Sequence, residues 1–350
     1  MKIVLATGGS GGHIFPAIKT AEYLSRQGHQ VYFAGALLSV EDRLKNLGYG
    51  CLILDVEGFR PGTALRFAYK MIAAFSRCRQ WIRSIQPDVV VGFGSYSSFP
   101  MIFSANTMGI RTVLHEQNVI PGKANRAAAR FVKTIAVSFE ETKTYFPKHK
   151  TVWTGCPCNS QRPQKSRSEL LKAFGLRDNF KTILVLGGSQ GSHYLNEVFF
   201  DSICRLQGVQ VIHMTGKSDQ PAYQKKYESI TSPSLVCAFI EDIECAYAVA
   251  DLVIARAGAA TVFELASFKI PSILVPYPYA HGHQRANARV LEKAGHSVVI
   301  EQADLNVEKL CKVINRFLET GRLLDADNEK QGSFVTNPTQ LLSNTICLTP

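Results

Sequence analysis

Short apolar runs alternate along the chain with longer segments in which apolar residues recur every three or four positions. The short runs predict buried strands, and the longer period predicts helices that cover them. A regular alternation of the two is typical of an α/β fold with parallel sheets. The predicted strands of the first half are Ile3–Ala6, Gln30–Ala34, Leu52–Leu54, Asp88–Gly92, Thr112–Leu114, Thr134–Val137 and Thr151–Trp153. Those of the second half are Ile183–Leu186, Val209–Met214, Leu235–Ala238, Leu252–Ala255, Ser272–Val275 and Val298–Ile300.

A polar stretch separates the two groups of strands. Asn159–Ser168 contains Pro163 and has no strong periodicity, which is typical of a linker. We therefore expect one domain over residues 1–159 and a second over residues 160–336. The polar tail that follows ends in apolar pairs, so we expect residues 337–350 to form a short helix that packs on the first domain.

Two glycine-rich loops occur at the same point of the same local pattern. In Lys2–His13 (KIVLATGGSGGH) and in Thr182–Ser192 (TILVLGGSQGS), a strand is followed by glycines and then by a predicted helix. Glycine lets the backbone turn sharply beside a ligand, and the first N–H groups of a helix bind anions. The two loops predict two Rossmann-like domains that face a common cleft. Neither has the full G-x-G-x-x-G spacing, which disfavours a dehydrogenase.

Composition and charge narrow the class of protein further. The 350 residues suggest about two domains, and a chain that is 46% hydrophobic and 19% charged is typical of soluble globular proteins. The net charge of +11 is uneven, since residues 1–159 hold 19 Lys and Arg against 9 Asp and Glu. This imbalance predicts an anionic surface partner for the first half, either nucleic acid or an anionic membrane.

One uncharged segment, Val89–Ile110, is long enough to suggest a membrane span. It contains three glycines, four serines and a proline, so a buried strand, a turn and a short helix are the better interpretation. No secretory signal is evident, because the apolar run after Lys2 lasts only a few residues. We expect a soluble chain, or one attached to a membrane only at its surface.

A second segment combines positive charge with bulky apolar residues. From Gly58 to Pro87 the chain has six basic residues and no acidic one, and much of it has helical periodicity. Two interpretations stay open: a sheet-covering helix with a solvated basic face, or a surface that contacts anionic lipid headgroups. Nucleic acid is disfavoured because no nucleic-acid-binding motif accompanies the charge.

The nine cysteines are scattered and odd in number. The closest pair, Cys156 and Cys158, does not have the spacing of a zinc knuckle. We expect buried free thiols in a reducing cytosol.

His13 closes the first glycine loop at the start of a predicted helix. Histidine takes up a proton near neutral pH, so it suits a general base, and the helix N-terminus favours its neutral form. A loop histidine is more often structural, but the position of His13 between Gly12 and an apolar helix favours catalysis.

Three further polar motifs follow predicted strands, where α/β folds bind ligands. His115–Asn118 suits a sugar or headgroup site, although a polar helix-capping turn is an equal alternative. In Arg256–Glu264, small residues and Thr261 suit a diphosphate, and Glu264 suits a ribose clamp, with an exposed helical glutamate as the alternative. In Pro276–Asn287, we expect the face with His283, Gln284 and Asn287 to recognise sugar hydroxyls. A metal site at His281 and His283 is disfavoured because no third ligand is evident.

These motifs match one family in order and spacing: the chain resembles the MurG family of peptidoglycan glycosyltransferases. That family has the GT-B fold, with two Rossmann-like domains, and adds N-acetylglucosamine to lipid I to give lipid II. The matching stretches span nearly the whole chain and are Thr7–Pro16, Gly94–Tyr96, His115–Asn118, Asn125, Gly187–Ser192, Arg256–Glu264 and Pro276–Ala288.

The resemblance implies a role for each matching residue. The second half would bind the donor, UDP-N-acetylglucosamine (UDP-GlcNAc), with Glu264 on the ribose, the backbone near Ile240 on the uracil, and His283 and Gln284 on the sugar. The implied donor residues are Ser10, Gly11, Gly12, Asn118, Ser189, Ser192, Ile240, Arg256, Ala259, Thr261, Glu264, His283 and Gln284. The implied acceptor residues are Gly11, Gly12, His13, Tyr96, Glu116 and Asn125. The membrane contact would use Phe59, Arg66, Phe67, Lys70, Met71 and Phe75.

One departure from the family concerns the donor phosphates. After Gly155 the family has Asn-Pro-Val-Arg, and the arginine helps to bind these phosphates. Here Asn159 stands at the arginine position, and Arg162 is a candidate to replace its charge.

We therefore predict an inverting transferase that acts on the C4 hydroxyl of undecaprenyl-diphospho-N-acetylmuramyl-pentapeptide, with His13 as the base. Helix N-termini and Arg256 would stabilise the UDP leaving group, with no metal and no tightly bound cofactor. The expected partners are UDP-GlcNAc, lipid I and an anionic membrane surface, with cell-wall and division proteins as further candidates. We expect a peripheral position on the cytoplasmic face of the inner membrane.

Two alternatives stay open. A UDP-GlcNAc 2-epimerase shares the fold and the donor, but it needs no lipid site, so the basic apolar segment disfavours it. A non-catalytic sugar-nucleotide-binding protein is disfavoured because His13, Glu264 and Gln284 are all present.

Overall fold

The computed structural model describes residues 1–8, 10–58, 62–158, 160–279, 282–323 and 334–348. It divides into two compact units. Unit 1 comprises Met1–Cys158 and Val335–Pro350, and unit 2 comprises Asn159–Phe334. Each unit is an α/β fold built on one parallel sheet, as the apolar pattern predicts.

Unit 1 is built on seven strands. These are β1 (Lys2–Gly8), β2 (Gln30–Ala36), β3 (Gly50–Ile53), β4 (Val89–Gly92), β5 (Arg111–Glu116), β6 (Thr134–Val137) and β7 (Thr151–Trp153). Its first helices are α1 (Gly11–Arg26), α2 (Glu41–Asn46), α3 (Ala64–Ile85), α4 (Phe99–Thr107) and α5 (Lys123–Ala128). The strands lie in the order β3-β2-β1-β4-β5-β6-β7, and all of the neighbouring pairs are parallel.

The core of unit 1 lies on both faces of this sheet. In β1, Ile3 and Leu5 face the cluster that includes α1, whereas Val4 and Ala6 face the cluster that includes α3 and α4. Successive side chains of a strand point to opposite faces, so a strand covered on both sides needs an unbroken apolar run. This requirement explains why the short apolar runs of the sequence predict the strands well.

Unit 2 is built on six strands. These are β8 (Lys181–Leu186), β9 (Val209–Met214), β10 (Ser234–Cys237), β11 (Leu252–Ala255), β12 (Ser272–Leu274) and β13 (Ser297–Val299). Its helices are α6 (Arg167–Ala173), α7 (His193–Ile203), α8 (Gln220–Tyr227), α9 (Ile243–Val249), α10 (Ala259–Phe268), α11 (His283–Lys293) and α12 (Val307–Thr320). The strands are parallel and lie in the order β10-β9-β8-β11-β12-β13.

The tail of the chain returns to unit 1, as expected from its apolar pairs. Helix α13 (Pro338–Cys347) packs on α1, and its Leu342 and Ile346 are fully buried in the same core cluster as α1. The guanidinium of Arg111 donates a 2.6 Å hydrogen bond to the carbonyl of Thr345. The tail is therefore an integral part of unit 1.

All thirteen predicted strands are present, with ends within two residues of the prediction. The uncharged segment Val89–Ile110 forms β4, a turn and α4, also as predicted. Within the described ranges, no helix combines the length and the apolar character needed to cross a bilayer. The nine cysteines are free thiols, as predicted, but their burial differs from the prediction: Cys78, Cys156 and Cys158 are buried, Cys204 is exposed, and the other five are half-buried.

Candidate active site

Both glycine-rich loops lie where the strand order reverses. In unit 1 the chain runs outward from β1 to β2 and β3, and then returns to place β4 on the other side of β1. In unit 2, β8 and β11 have the same relation. Loops that leave two adjacent strands in opposite directions open a crevice at the carboxyl ends, where α/β folds bind ligands. The candidate sites of the two units therefore lie after β1 and β4 and after β8 and β11.

The first glycine loop places His13 in the first turn of α1. Ser10 is the exposed N-cap residue of that helix, and its carbonyl accepts hydrogen bonds of 3.0 Å from the backbone N–H groups of His13 and Ile14. Gly11 and Gly12 precede His13, and a Cβ added to Gly12 would have no heavy atom of the described residues within 4 Å. The space beside Gly12, next to the half-buried imidazole, therefore leaves room for a ligand.

The loop after β4 packs directly against His13. A Cβ added to Gly94 would lie 3.1 Å from the imidazole, and Gly94 has a φ of +81°. The next residue, Ser95, has a φ of +67° and a ψ of 149°, a conformation that costs about 1–3 kcal/mol for a residue other than glycine. This strained turn presents Tyr96, which is 43% exposed, at the carboxyl end of β4. The ring of Tyr96 is thus accessible to a ligand, and its role towards the acceptor stays a prediction.

The end of β5 contributes a buried glutamine that belongs to the predicted motif His115–Asn118 but has no individual role among the predicted site residues. Gln117 Oε1 lies 3.3 Å from His13 Nδ1, and Gln117 Nε2 donates a 2.8 Å hydrogen bond to the carbonyl of Phe93. The same nitrogen lies 3.2 Å from His115 Nδ1. Three strand ends, those of β1, β4 and β5, therefore meet at His13.

Glu116 is buried, and both of its carboxylate oxygens are occupied within unit 1. Oε1 accepts a 2.9 Å hydrogen bond from the backbone N–H of Asn118. Oε2 accepts bonds from the backbone N–H of Gly122 at 3.1 Å and from Asn125 Nδ2 at 2.8 Å. Asn125 is also buried, whereas Asn118 is half-buried. This arrangement favours a role for Glu116 and Asn125 in shaping the loop after β5, and leaves Asn118 better placed for contact.

In unit 2, the second glycine loop is fixed against the loop after β9. Gly191 has a φ of +77°, and an added Cβ would lie only 2.1 Å from the carbonyl oxygen of Thr215. Asn196, which was not predicted, is fully buried in α7 and donates to that same oxygen at 2.9 Å and to Asp219 Oδ2 at 2.9 Å. These contacts fix the second glycine loop, in which Ser189 is half-buried.

Arg256 follows β11, and its guanidinium is buried, with 7% of the residue exposed. Its hydrogen bonds go to neutral oxygens: Ser192 Oγ at 2.6 Å, Gln302 Oε1 at 2.7 Å and the carbonyl of Val275 at 3.1 Å. Burial lowers the pKa of Arg256, but an arginine stays protonated. These bonds join the second glycine loop to the loop after β12. A buried cation with neutral partners is suited to an anionic ligand beside it.

Helix α10 begins directly after this arginine. Gly258 is its N-cap residue, Ala259 is buried and Thr261 is half-buried in its first turn. Glu264, one turn further, is half-buried, and its Oε2 accepts a 2.9 Å hydrogen bond from the buried hydroxyl of Tyr247. Tyr247 was not predicted, because nothing in its local sequence distinguishes it from a core tyrosine. The first turn of α10 thus offers N–H groups, a hydroxyl and an oriented carboxylate to a nucleotide.

The remaining predicted donor residues lie beyond β10 and in α11. Ile240 is nearly buried three residues after β10, and His283 is half-exposed at the start of α11. Gln284 Oε1 accepts a 2.9 Å hydrogen bond from the backbone N–H of Tyr277, so it also fixes the loop after β12. The prediction for Asn287 was wrong, because it is fully buried and donates to the carbonyl of Ala257 at 3.2 Å.

His281, Asn159 and Phe59 lie outside the described residues. Arg162, the candidate to replace the missing charge at Asn159, donates a 3.3 Å hydrogen bond to the carbonyl of Phe268. Phe268 ends α10, a helix of 10 residues, so this bond lies about 15 Å from the N-terminus of that helix. The hypothesis that Arg162 supplies the missing charge to the phosphates is therefore not supported.

The basic apolar segment forms α3, but its outer face differs from the prediction. Met71 packs against the core, and Phe75 contacts the ring of Phe103 with a centroid distance of 5.3 Å. Phe67 is half-buried. The large apolar side chains that α3 exposes are those of Leu65, Tyr69 and Ile72, which are 90%, 74% and 69% exposed. Their spacing puts them on one stripe of the helix.

Two of the predicted basic contacts of α3 are paired with acidic residues. Lys70 Nζ lies 2.9 Å from Asp55 Oδ1 and 3.6 Å from Glu57 Oε2, and only 18% of its side chain is exposed. Arg66 Nε lies 2.9 Å from Glu57 Oε1. The acidic partners follow β3 and reach α3 only in the folded chain, so the local sequence does not predict these ion pairs. They reduce the net positive charge on this side of α3.

The family models match most of the chain. The glycosyltransferase family 28 N-terminal domain matches residues 3–137, and the glycosyltransferase family 28 C-terminal domain matches residues 182–342. With its two Rossmann-like units and a match to both domain models, the chain belongs to glycosyltransferase family 28.

Two relatives that match along most of the chain carry the same activity in their names. A UDP-N-acetylglucosamine–N-acetylmuramyl-(pentapeptide) pyrophosphoryl-undecaprenol N-acetylglucosamine transferase from Halothermothrix orenii is 38% identical over 344 residues, which cover 93% of this chain and 92% of that protein. The enzyme of the same name from Thermodesulfovibrio yellowstonii is 35% identical over 335 residues, 93% of this chain and 92% of that protein. These relatives confirm the resemblance to the MurG family.

Solved structures agree with this assignment. The crystal structure of MurG from Acinetobacter baumannii has a TM-score of 0.76 at 29% identity and covers 99% of this chain and 98% of that one. It confirms the predicted fold class. A UDP-GlcNAc 2-epimerase from Neisseria meningitidis has a TM-score of 0.68 at 13% identity, over 99% of this chain and 98% of that one. At that identity the likeness shows the fold alone.

Proposed function

We propose that this chain transfers N-acetylglucosamine from UDP-GlcNAc to the C4 hydroxyl of undecaprenyl-diphospho-N-acetylmuramyl-pentapeptide, with inversion at the anomeric carbon. The observation that supports it most strongly is the activity named for relatives that match along 93% of the chain. The polar residues grouped at the switch points of both sheets support it independently, because each group offers the chemistry that one substrate requires.

Unit 2 binds the donor. The first turn of α10 and the second glycine loop offer backbone N–H groups to the diphosphate, and the buried charge of Arg256 stabilises its negative charge. Ser192 accepts a hydrogen bond from Arg256, which leaves its own hydroxyl proton to donate to a phosphate oxygen. Glu264 accepts the two ribose hydroxyls, and Tyr247 holds its carboxylate in place.

Unit 1 binds the acceptor and activates it. His13 removes the proton of the C4 hydroxyl while the oxygen attacks C1 of N-acetylglucosamine. The bond between C1 and the phosphate oxygen breaks, and UDP leaves with the electron pair. Arg256 and the helix N-termini stabilise the charge that develops on UDP.

The transfer assay uses radiolabelled UDP-GlcNAc and a short-chain lipid I analogue. We expect the label to move to the lipid, and His13→Ala to lower the rate by about 10²–10⁴-fold without a change in UDP affinity. Label that stays in the nucleotide sugar fraction as an epimer would replace this proposal with the 2-epimerase. A near-normal rate in His13→Ala would remove His13 as the base.

We also propose that α3 attaches the chain to the cytoplasmic face of an anionic membrane. The exposed stripe of Leu65, Tyr69 and Ile72 supports this, because single exposed apolar residues are common but three on one helix stripe are not. The net charge of +10 on residues 1–159 adds electrostatic attraction to anionic lipid, which salt screens.

Vesicle sedimentation tests the membrane contact. We expect binding to anionic vesicles that weakens in high salt, and Leu65→Ser with Ile72→Ser to weaken it by at least tenfold, since burial of each side chain contributes roughly 1.5–3 kcal/mol. Leu38→Ser is the matched control, because Leu38 is 78% exposed in unit 1 outside α3. An equal loss of vesicle binding in the α3 variant and in Leu38→Ser would refute a specific role for α3.

A further inference from the structure

A line of hydrogen bonds connects His13 to the backbone carbonyl of Gly155, two residues after β7. It runs from the carbonyl of Gly155 to His115, then to Gln117, and ends at His13. His115 is fully buried, and Gln117 is 1% exposed. The chemistry of the groups decides which atom donates and which accepts in each of these hydrogen bonds. The assignment starts at the carbonyl of Gly155.

The protonation of His115 is fixed by its neighbours. Its Nε2 lies 3.1 Å from the carbonyl oxygen of Gly155, which can only accept, so Nε2 must be the protonated nitrogen. The hydroxyl of Ser138, 3.3 Å from the same nitrogen, is compatible with this because a hydroxyl can also accept. Burial lowers the pKa of His115 to about 4, so the ring is neutral at physiological pH. Its Nδ1 therefore has a lone pair.

The orientation of the Gln117 amide follows from the next step. Two acceptors face one end of the amide: the carbonyl of Phe93 at 2.8 Å and the lone pair of His115 Nδ1 at 3.2 Å. That end must be the NH₂ group, which has two protons to donate. The amide oxygen is consequently the atom that faces His13 Nδ1 at 3.3 Å.

We propose that Gln117 is a positioning residue that holds neutral His13 with its proton on Nδ1. A histidine nitrogen that donates to a fixed acceptor is the protonated one, so the lone pair lies on Nε2. Nε2 is then the atom that takes the proton of the acceptor hydroxyl. This inference rests on the proposed function, in which His13 is the base.

An amide differs from a carboxylate in this position. A carboxylate would also favour the charged imidazolium form of His13, because an ionised acid stabilises a neighbouring cation. The neutral oxygen of Gln117 selects the tautomer without adding a charge. The same oxygen also accepts a hydrogen bond from Nδ1–H after Nε2 of His13 has been protonated, so this hydrogen bond is kept throughout the reaction.

The wild-type protein provides the first test. Two-bond ¹H–¹⁵N spectra of histidine-labelled protein distinguish the two neutral tautomers, and the signal that disappears in His13→Ala identifies His13. We expect His13 to be protonated at Nδ1 at pH 8. Protonation at Nε2 would overturn the proposal whatever the variants do.

Gln117→Met is the second test, since methionine keeps the length but its sulfur is only a weak hydrogen-bond acceptor. We expect a mixed or inverted tautomer signal for His13, a kcat at least tenfold lower, and unchanged UDP affinity, since UDP binds unit 2. The KM for the acceptor should change much less than kcat. A variant with the wild-type tautomer and wild-type kcat would also overturn the proposal.

Gln210→Met is the matched control. Gln210 is a fully buried glutamine of unit 2 that donates to the carbonyl of Arg177 at 2.7 Å and accepts from its backbone N–H at 2.9 Å. Its loss should lower the melting temperature as Gln117→Met does, but leave the His13 tautomer unchanged. If wild-type protein has the expected tautomer but no transfer activity, the proposed function fails and the assignment of Gln117 to His13 stands.

Discussion

Replacing Glu264 with alanine should weaken UDP binding and destabilise unit 2, and the two effects can be separated. A carboxylate that accepts hydroxyl hydrogen bonds contributes about 1.5–3 kcal/mol, so the dissociation constant for UDP should rise roughly ten- to 150-fold. The same change removes the hydrogen bond that the Tyr247 hydroxyl donates to this carboxylate. Loss of a hydrogen bond to a charged group costs about 1.5–3 kcal/mol of folding free energy.

The double variant Glu264→Ala with Tyr247→Phe separates these effects. Tyr247→Phe removes the hydroxyl that has lost its bond to the carboxylate, so the double variant should recover part of the lost stability. Its UDP affinity should stay as low as that of Glu264→Ala, because the ribose still lacks its acceptor. Tyr247→Phe alone completes the thermodynamic cycle.

Calorimetry with UDP and urea unfolding of the four proteins provide the measurements. Glu197→Ala, in the same unit, controls for the loss of a carboxylate elsewhere. A folded Glu264→Ala protein with wild-type UDP affinity would remove Glu264 from the donor site. A double variant that recovers affinity together with stability would show that the binding defect came from misfolding rather than from the missing carboxylate.

Three further predictions concern backbone fit and pH. Gly94→Ala should lower turnover at least tenfold with UDP affinity unchanged, because the new Cβ would lie 3.1 Å from the proposed base; a normal rate would contradict this. Gly191→Ala should destabilise unit 2 by roughly 2–4 kcal/mol in urea unfolding, because its Cβ would lie 2.1 Å from the Thr215 carbonyl. Burial lowers the pKa of His115 to about 4 and that of His213 to about 3, below the 6.5 of the unfolded chain. The unfolded state therefore takes up protons at a higher pH than the folded state does. The free energy of unfolding of each unit should fall by about 2 kcal/mol between pH 7 and pH 5, and urea midpoints that do not change with pH would refute this.

Local sequence is sufficient to specify the strands and the loops that follow them. A strand buried on both faces needs an unbroken apolar run, and such a run is visible without knowledge of its neighbours. The glycines after β1 and β8 are equally local signals, because a sharp turn between a strand and a helix favours glycine whatever the rest of the chain does. For this reason His13 and the second glycine loop are identifiable from the amino-acid sequence alone.

The polar side chains that support the site depend instead on tertiary contacts. Gln117 and His13 are 104 residues apart, and Tyr247 and Glu264 are 17 apart, so the contact within each pair depends on how the strands and helices assemble. Local sequence gives a buried glutamine or tyrosine no distinguishing mark. The same limit applies to Asn287, whose amide faces the core instead of a ligand.

The outward face of α3 is also set by packing. Apolar residues recur around much of this helix, so its periodicity predicts a helix but does not say which apolar stripe faces the protein. Phe75 packs with Phe103 of α4, and Lys70 pairs with Asp55 after β3, which leaves the stripe that begins at Leu65 outermost. Periodicity records only the spacing of side chains along one helix, whereas their burial depends on partners that other parts of the chain supply.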